Sequence, residues 1–390
     1  MTLIATPPPL NQPDVDAGVI EDARARQRRQ RRRGAIGIFV LALLGAVATV
    51  VALAISGTRS PTAPADATPG GLPTGALVTL NLAGPLAVGP NGALYVTDVA
   101  RDRILVRLPD GRFRVVAGNA KVGFSGDGGP AVDAELSGVS DLAFSPAGAL
   151  YVADGGRVRV IGRDGVIRTI AGDGRLLMHS IANGTPALSA PLGLPGIGGI
   201  HGNPTPLWIA LSPTTGQLYI STGHQILRLT AAGRLDIVRA IVPSGLGKGP
   251  LNGFGPIAID THGNIDVSGG PWGWSIGQVT PHGIAHYVAF ARQGGGNFAV
   301  VQPGKRGAIY EGSGGGIARI EPHALVSVFQ LAQRLPDHDF PVTYFAFGPT
   351  GTLYADDVPG NIGLELHQQL VSVSNTHVSL LWQENNATPK

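Results

Sequence analysis

Residues 141–154 read DLAFSPAGALYVAD, an apolar run, a Ser-Pro-Ala-Gly turn and a second run in which Leu150, Tyr151 and Val152 point alternately to two faces. The second run recurs along the chain. Gly92-Ala93-Leu94-Tyr95-Val96 precedes Gly148-Ala149-Leu150-Tyr151-Val152, and Gly216-Gln217-Leu218-Tyr219-Ile220 follows. Gly307-Ala308-Ile309-Tyr310 and Gly351-Thr352-Leu353-Tyr354 are further copies, and Gly263-Asn264-Ile265-Asp266-Val267 is a degraded one. The tyrosine positions are separated by 56, 68, 47, 44 and 44 residues.

Each copy follows an apolar run that ends in a turn, and each leads through a polar, glycine-bearing loop into another strand. Four short strands joined by tight turns in about 44 residues make one blade of a β-propeller. Gly75 to about Leu381 accommodates six such units, so the sequence predicts an all-β, six-bladed β-propeller over 75–390. A ring with no free edge needs a closing strand. Leu77–Leu80 ahead of the first unit and His377–Trp382 after the last are the segments expected to exchange between the termini.

The composition agrees with many strands and many turns. Gly (58) and Pro (31) are abundant, and charged residues make up only 14% against 43% hydrophobic, which is too apolar for a disordered chain. Cysteine is absent, excluding disulfide scaffolds, thiolate metal sites and cysteine nucleophiles.

The net charge of +3 is unevenly placed. Residues 1–59 carry eight arginines and four acids, so the rest of the chain is close to neutral. A nucleic-acid-binding domain would need its basic charge on the folded part, so nucleic acid is not an expected partner. Ile36–Ile55 is a twenty-residue uncharged apolar run, long enough for a helix to cross the bilayer. Seven arginines between Arg24 and Arg33 abut its N-terminal side, which orients that side to the cytoplasm. The expected order is a disordered basic cytoplasmic tail (1–33), one transmembrane helix (34–56), a Pro/Thr/Ala-rich linker (57–74) and an extracytoplasmic propeller (75–390). A single-pass protein of the cell membrane follows from this order. Retention of the apolar segment as an anchor is preferred over its cleavage after Ala65-Asp66-Ala67.

Val116-Ala117-Gly118, followed by Gly123-Phe124-Ser125-Gly126-Asp127-Gly128-Gly129-Pro130-Ala131, resembles the loop joining blades in NHL-repeat propellers. A weaker copy contains Asp173-Gly174 and Asn183-Gly184-Thr185-Pro186-Ala187. The resemblance is specific over 84–192 and decays to pattern-level likeness over 200–383. It implies a binding domain, and bacterial members include extracellular sensor modules on single spans. The family also contains a few lyases, so enzyme and binder are both compatible with it.

Chemistry-bearing residues are few. Asp98, Asp154 and Asp356 follow the tyrosine motif, with Arg103 and Arg157 close in sequence. They are expected mainly to accept hydrogen bonds from the loop between the second and third strands. Residues 125–130 lack the ligand spacing of a calcium loop, so they are read as a blade connector. Of the six strand starts that would face a central channel, only Ser140-Asp141 brings a carboxylate. A metal-dependent lyase or a lactonase-like hydrolase would need more. The expectation is therefore no catalytic residues, no bound metal and no cofactor, with that channel enzyme as the alternative. Pro271-Trp272-Gly273-Trp274 offers two tryptophans in a glycine-flanked connection. With Asp127, Asp141, His201 and His338, Trp272 and Trp274 form the candidate ligand-binding set, expected on the face that carries the long connections. The ligand expected there is a protein or a cell-wall glycan, bound by a sensor or scaffold module.

Overall fold

The computed structural model describes residues 71–81, 83–193, 207–238, 254–269, 275–283, 285–290, 301–303, 309–313, 316–321, 324–330, 342–348, 352–357, 369–374 and 377–383; for most of those beyond 283 the description is of backbone pairing. These residues form six antiparallel sheets. The first contains β1 (Leu77–Val78), β2 (Ala83–Val88), β3 (Leu94–Asp98), β4 (Arg103–Arg107) and β5 (Phe113–Ala117). The second contains β6 (Val139–Phe144), β7 (Leu150–Asp154), β8 (Arg157–Ile161) and β9 (Ile167–Ala171). The third is built from β10 (Thr185–Pro186), β11 (Trp208–Leu211), β12 (Leu218–Ser221), β13 (Ile226–Leu229) and β14 (Arg234–Ile237). The fourth comprises β15 (Phe254–Ile259), β16 (Ile265–Gly269), β17 (Ser275–Val279) and β18 (Ala285–Phe290). The fifth comprises β19 (Val301–Pro303), β20 (Ile309–Ser313), β21 (Gly316–Glu321) and β22 (Ala324–Gln330). The sixth comprises β23 (Val342–Phe347), β24 (Leu353–Asp357), β25 (Gln369–Ser374) and β26 (His377–Gln383). Within each sheet the four main strands are neighbours in chain order, the arrangement of a β-propeller blade.

The repeated Leu-Tyr-Val has a clear physical origin. Leu94 and Val96 pack in the cluster that joins the first sheet to the sixth, where Ala346, Tyr354 and Leu381 meet them. Tyr95, pointing the other way, packs with Leu142, Leu150 and Val152 of the second sheet. Tyr151 lies against the cluster joining the second and third sheets, and Tyr219 against the one joining the third and fourth. In each of these repeats the aliphatic pair faces the preceding sheet and the tyrosine the following one. The period-2 alternation thus supplies two buried faces rather than one buried and one wet.

Tyr95 is 1% exposed, meets the Phe144 ring edge-on at 4.7 Å, and accepts a hydrogen bond on its hydroxyl from the Leu72 N–H at 3.3 Å. The chain is therefore already packed at Leu72, itself buried in the same cluster.

The N-terminal strand does not make the expected exchange with the last unit. β1 pairs with β5, matching Leu77 to Arg114 and Val78 to Phe113, and so covers the outer edge of the first sheet. The sixth sheet is complete from its own consecutive strands. Contact between the first and last sheets is made instead by side chains in the shared cluster of Leu86, Leu94, Val96 and Ala346.

Edge covering recurs along the ring. The connector leaving the first sheet runs along β9: the N–H of Gly128 donates to Ile167, that of Ile167 to Gly129, and that of Ala131 to Gly165. The connector leaving the second sheet places β10 on β14, with Gly184 donating to Leu235 and Ala187 to Gly233. Each connector thereby masks the exposed edge of the sheet it is about to enter, removing a template for unwanted strand pairing.

The wedge role of Tyr95 is testable. Tyr95→Ala should lower the unfolding free energy by about 3–5 kcal/mol, and Tyr95→Phe, which loses only the bond to Leu72, by about 1 kcal/mol. Urea unfolding followed by intrinsic fluorescence distinguishes the two.

Candidate functional site

The connector 119–138 is organised by one guanidinium. Arg159, on β8, is fully buried, with a side-chain exposure of 0%. Its Nε donates to Asp127 Oδ1 at 3.1 Å, one Nη to the Glu135 carbonyl at 2.9 Å and to Asp154 Oδ2 at 3.2 Å, and the other Nη to the Ser125 carbonyl and Asp127 Oδ1, both at 2.7 Å. All five donors of the fork are thus matched. The other Asp127 oxygen accepts the Thr169 N–H at 3.0 Å, fastening the loop to β9. Gly126, at φ +86, makes the bend; a Cβ there would lie 2.7 Å from the Ala134 Cα. The Phe124 ring lies over this group, 3.7 Å from the Arg157 guanidinium carbon and 5.0 Å from that of Arg159.

Burial pushes the Asp154 carboxyl up from its ordinary value, only partly offset by the Ser137 N–H and Arg159. At Asp127 partial burial also acts upward, but the bonds from Thr169 and Arg159 outweigh it and hold the carboxyl low.

Asp98 and Asp154 are therefore charge partners, not chiefly loop acceptors, while the side chain of Asp356 lies outside the described ones. Asp98 pairs with Arg103 at 2.6 Å with both side chains buried. Asp154 both accepts the Ser137 N–H and pairs with Arg159 rather than with Arg157. Arg157 instead donates to the Asp173 carbonyl at 2.8 Å, linking its strand to the next connector.

The third sheet repeats this geometry without charge. Asn183, in the second connector, accepts the Ile237 N–H at 2.8 Å just as Asp127 accepts that of Thr169. By register Ile220 faces Leu227 as Val152 faces Arg159, and Thr222 stands where Asp154 does. Asp127, Asp154 and Arg159 thus become Asn183, Thr222 and Leu227, all three losing charge together.

Asp141 lies elsewhere. It sits on β6, the innermost strand of the second sheet, whereas Asp127 is fastened to β8 and β9. Two or three strand spacings separate them, roughly 10–15 Å, so the structure does not bring these two candidates into one site. His201, Trp272, Trp274 and His338 lie outside the described residues, as do the expected tail and membrane span. Among the described residues no helix is long and apolar enough to cross a membrane.

The first strands β2, β6, β11, β15 and β23 converge on a cavity of about 380 Å³. Asp141 is the single ionisable side chain among its described lining residues. A bulge between Val139 and Asp141 lets the consecutive Ser140 and Asp141 side chains both reach β11 and the residue just before it. The Ser140 hydroxyl donates to the Leu207 carbonyl and accepts the Leu207 N–H. Asp141 accepts the Leu142 and Ile209 N–H groups, one on each oxygen, both at 2.8 Å. The residue borders open space, yet protein surrounds its carboxyl closely enough that desolvation pushes it up to about 7 against the pull of those two bonds. Asp266, which replaces the repeat tyrosine, is likewise pushed up to about 7 by burial, although Gln278 donates to it at 2.7 Å.

A family model described as the Teneurin NHL domain matches residues 120–244, the span containing both connectors and the Arg159 group. Over this span the chain is similar to an NHL domain. Teneurin-m of Drosophila melanogaster is 30% identical to it over 170 residues, 39% of this chain and 6% of that protein. Teneurin-1 of Mus musculus is 37% identical over 95 residues, 21% of this chain and 4% of that protein. The chain thus spans about a twentieth of the length of the curated relatives it matches. Among solved structures, one described as a streptogramin B lyase is similar at 14% identity and a TM-score of 0.47, over 79% of this chain and 87% of that one. That likeness decides nothing about chemistry.

Two measurements probe these groups. Arg159→Leu should destabilise the protein by about 3–5 kcal/mol, because it strands two carboxylates. Combining it with Asp127→Asn and Asp154→Thr, the set found in the third sheet, should recover most of the loss in urea titrations. Asp141, protonated up to about 7 when folded and only to about 4 when unfolded, makes the folded state bind more protons between those values. Its contribution is fully present below pH 4 and lost as pH rises through 7. The stability of Asp141→Asn relative to the unaltered chain should therefore rise steadily from pH 4 to pH 7.5, the Asp266 contribution cancelling in the difference.

Proposed function

We propose that this chain is a membrane-anchored, extracytoplasmic recognition module whose six sheets are the six blades of a propeller, and that it binds a protein partner through its connector face without catalysing a reaction. One observation carries this reading. Of the six large hydrophobic side chains exposed among the described residues, five (Val122, Phe124, Leu176, Met178 and Leu188) stand on the two connectors 119–138 and 173–193. Met178 is 70% exposed, and with Leu176, Ile181 and Pro191 it borders a cavity of about 310 Å³ rimmed by Arg175 and His179.

Apolar side chains held outward on loops that are themselves fastened to sheet edges suit a protein–protein contact. The loops are rigid because Arg159, Asp127 and Asn183 tie them to β8, β9 and β14. Recognition by preformed loops on a rigid scaffold avoids much of the ordering entropy of binding. The enzymatic alternative requires several acids, bases or metal ligands converging on the cavity, whose described lining supplies one carboxylate. Membrane anchoring rests on the uncharged run Ile36–Ile55 beside seven arginines. The linker that follows would hold the module up to roughly 50 Å from the bilayer.

The test is site-resolved photo-crosslinking on intact cells. A crosslinker at position 178 or 188 should trap one discrete protein, and a crosslinker at Asp164, an exposed turn residue, should not. Trapping should fall at least tenfold in Leu176→Ser. Equal trapping from 164, or trapping that requires cell rupture, would contradict the binding face or the orientation respectively. Crosslinks into cell-wall glycan alone would replace the protein partner with a saccharide.

A further inference from the structure

We propose that the central cavity is a binding site for a small organic ammonium ion with an apolar body, whose charged head is held by the Asp141 carboxylate. The cavity, at about 380 Å³, lies in the size range of small-molecule sites. Its walls are the first strands of five sheets, with Phe144, Trp208 and Phe347 among the lining residues and Asp141 as the one described ionisable group.

Asp141 has no basic partner among the described lining residues of the cavity. Joining β6 to the third sheet requires only a hydrogen-bonding side chain, and the neutral Ser140 does this one residue earlier through Leu207. An asparagine could accept the Ile209 N–H through its one oxygen, but its NH2 would then face the Leu142 N–H, so the backbone uses both aspartate oxygens. Asp98 has Arg103, and Asp154 and Asp127 share Arg159, whereas the buried Asp266 takes a hydrogen bond from Gln278 and is not among the lining residues of the cavity. In the third sheet, where Leu227 stands in place of the guanidinium, Asn183 and Thr222 stand in place of the acids. Among the described residues no arginine, lysine or histidine pairs with Asp141, and none lines the cavity. An enclosed carboxylate without a counter-ion is costly, and such groups concentrate in binding sites.

The geometry selects the ligand class. The Leu142 and Ile209 N–H groups, at 2.8 Å, fix both oxygens and occupy one acceptor direction on each. A carboxylate offers about four such directions, so two remain for an ammonium N–H. With the carboxylate already immobilised, the ligand meets a preorganised acceptor. A bare metal ion is a poor fit, because one carboxylate supplies too few ligands for a divalent cation. Aromatic and aliphatic walls favour instead an organic body, and an aromatic face adds cation–π attraction.

Binding has a defined pH dependence. Enclosure keeps Asp141 protonated up to about 7, and no other ionisable group among the described lining residues of β2, β6, β11, β15 or β23 faces it. An ammonium ion binds the ionised form, so affinity falls about tenfold between pH 8 and pH 6 as that form becomes the minor one.

The experiment is calorimetric titration of the purified full-length chain with 2-phenylethylamine, benzyltrimethylammonium and the neutral isostere 2-phenylethanol. The expected result is one-to-one binding of at least one ammonium probe at pH 8, about tenfold weaker at pH 6, with 2-phenylethanol weaker than that probe by tenfold or more. Asp141→Asn should erase the preference for charge, and Ala258→Trp, which fills the cavity, should abolish binding of all three. If Asp141→Asn fails to fold, the pH profile and the neutral isostere decide on the unaltered chain. Absence of binding by both ammonium probes at millimolar concentration, equal affinity for 2-phenylethanol, or affinity unchanged between pH 6 and pH 8 overturns the proposal.

Discussion

The described part of this molecule turns on the buried Arg159 guanidinium. A charge with no solvent exposure is tolerable only when each of its donors is matched and its charge is opposed. Arg159 meets both conditions by drawing two carboxylates and two carbonyls from three separate segments. In doing so it closes the Gly123–Ala131 loop over the second sheet. The loop in turn supplies the hydrogen bonds that cover β9. One ion-pair group therefore links blade, connector and sheet edge. The third sheet reaches the same connector geometry with Asn183, Thr222 and Leu227, so covering the edge is the common requirement and the charge group is one way to meet it.

Covering each sheet's edge from the preceding connector has a functional corollary. The connectors cannot collapse into the core, because their backbones are already committed to β9 and β14. Their remaining apolar side chains, Phe124, Leu176, Met178 and Leu188 among them, are consequently held outward. Edge protection and a preformed contact surface arise from the same hydrogen bonds. The central cavity follows a different logic: it is the space left where the first strands meet, and Asp141 is enclosed there without a counter-ion among the described residues.

The candidate site was legible in part. Asp141 stood out in the sequence as the one carboxylate among six strand starts, and the structure puts it on the cavity wall. Asp127 was legible as belonging to a connector, but its carboxylate is engaged by Arg159 and Thr169. Arg159 was missed, since reading along the sequence favours Arg157, directly opposite Asp154 in register. A bulge at Val158–Arg159 disturbs the pairing of β8 with β9 just where Arg159 turns toward the loop. The one available signal was the joint loss of charge at 183, 222 and 227, and it can be read only once the strand register is known.

By itself the sequence determined the strand repeat, because alternation of Leu, Tyr and Val with period 2 is a local property that any pleated strand converts into two faces. It likewise determined where the turns fall and that the basic charge lies at the N-terminal end, both carried by residue type alone. Tertiary structure decided which edge Leu77–Val78 joins, which arginine meets Asp154, and that the D-G-G-P-A and N-G-T-P-A segments lie along the following sheet. These are contacts between residues far apart in the chain. At Arg159 a register shift between Val158 and Arg159 accompanies the choice of partner, and such a shift leaves the hydrophobic pattern almost unchanged.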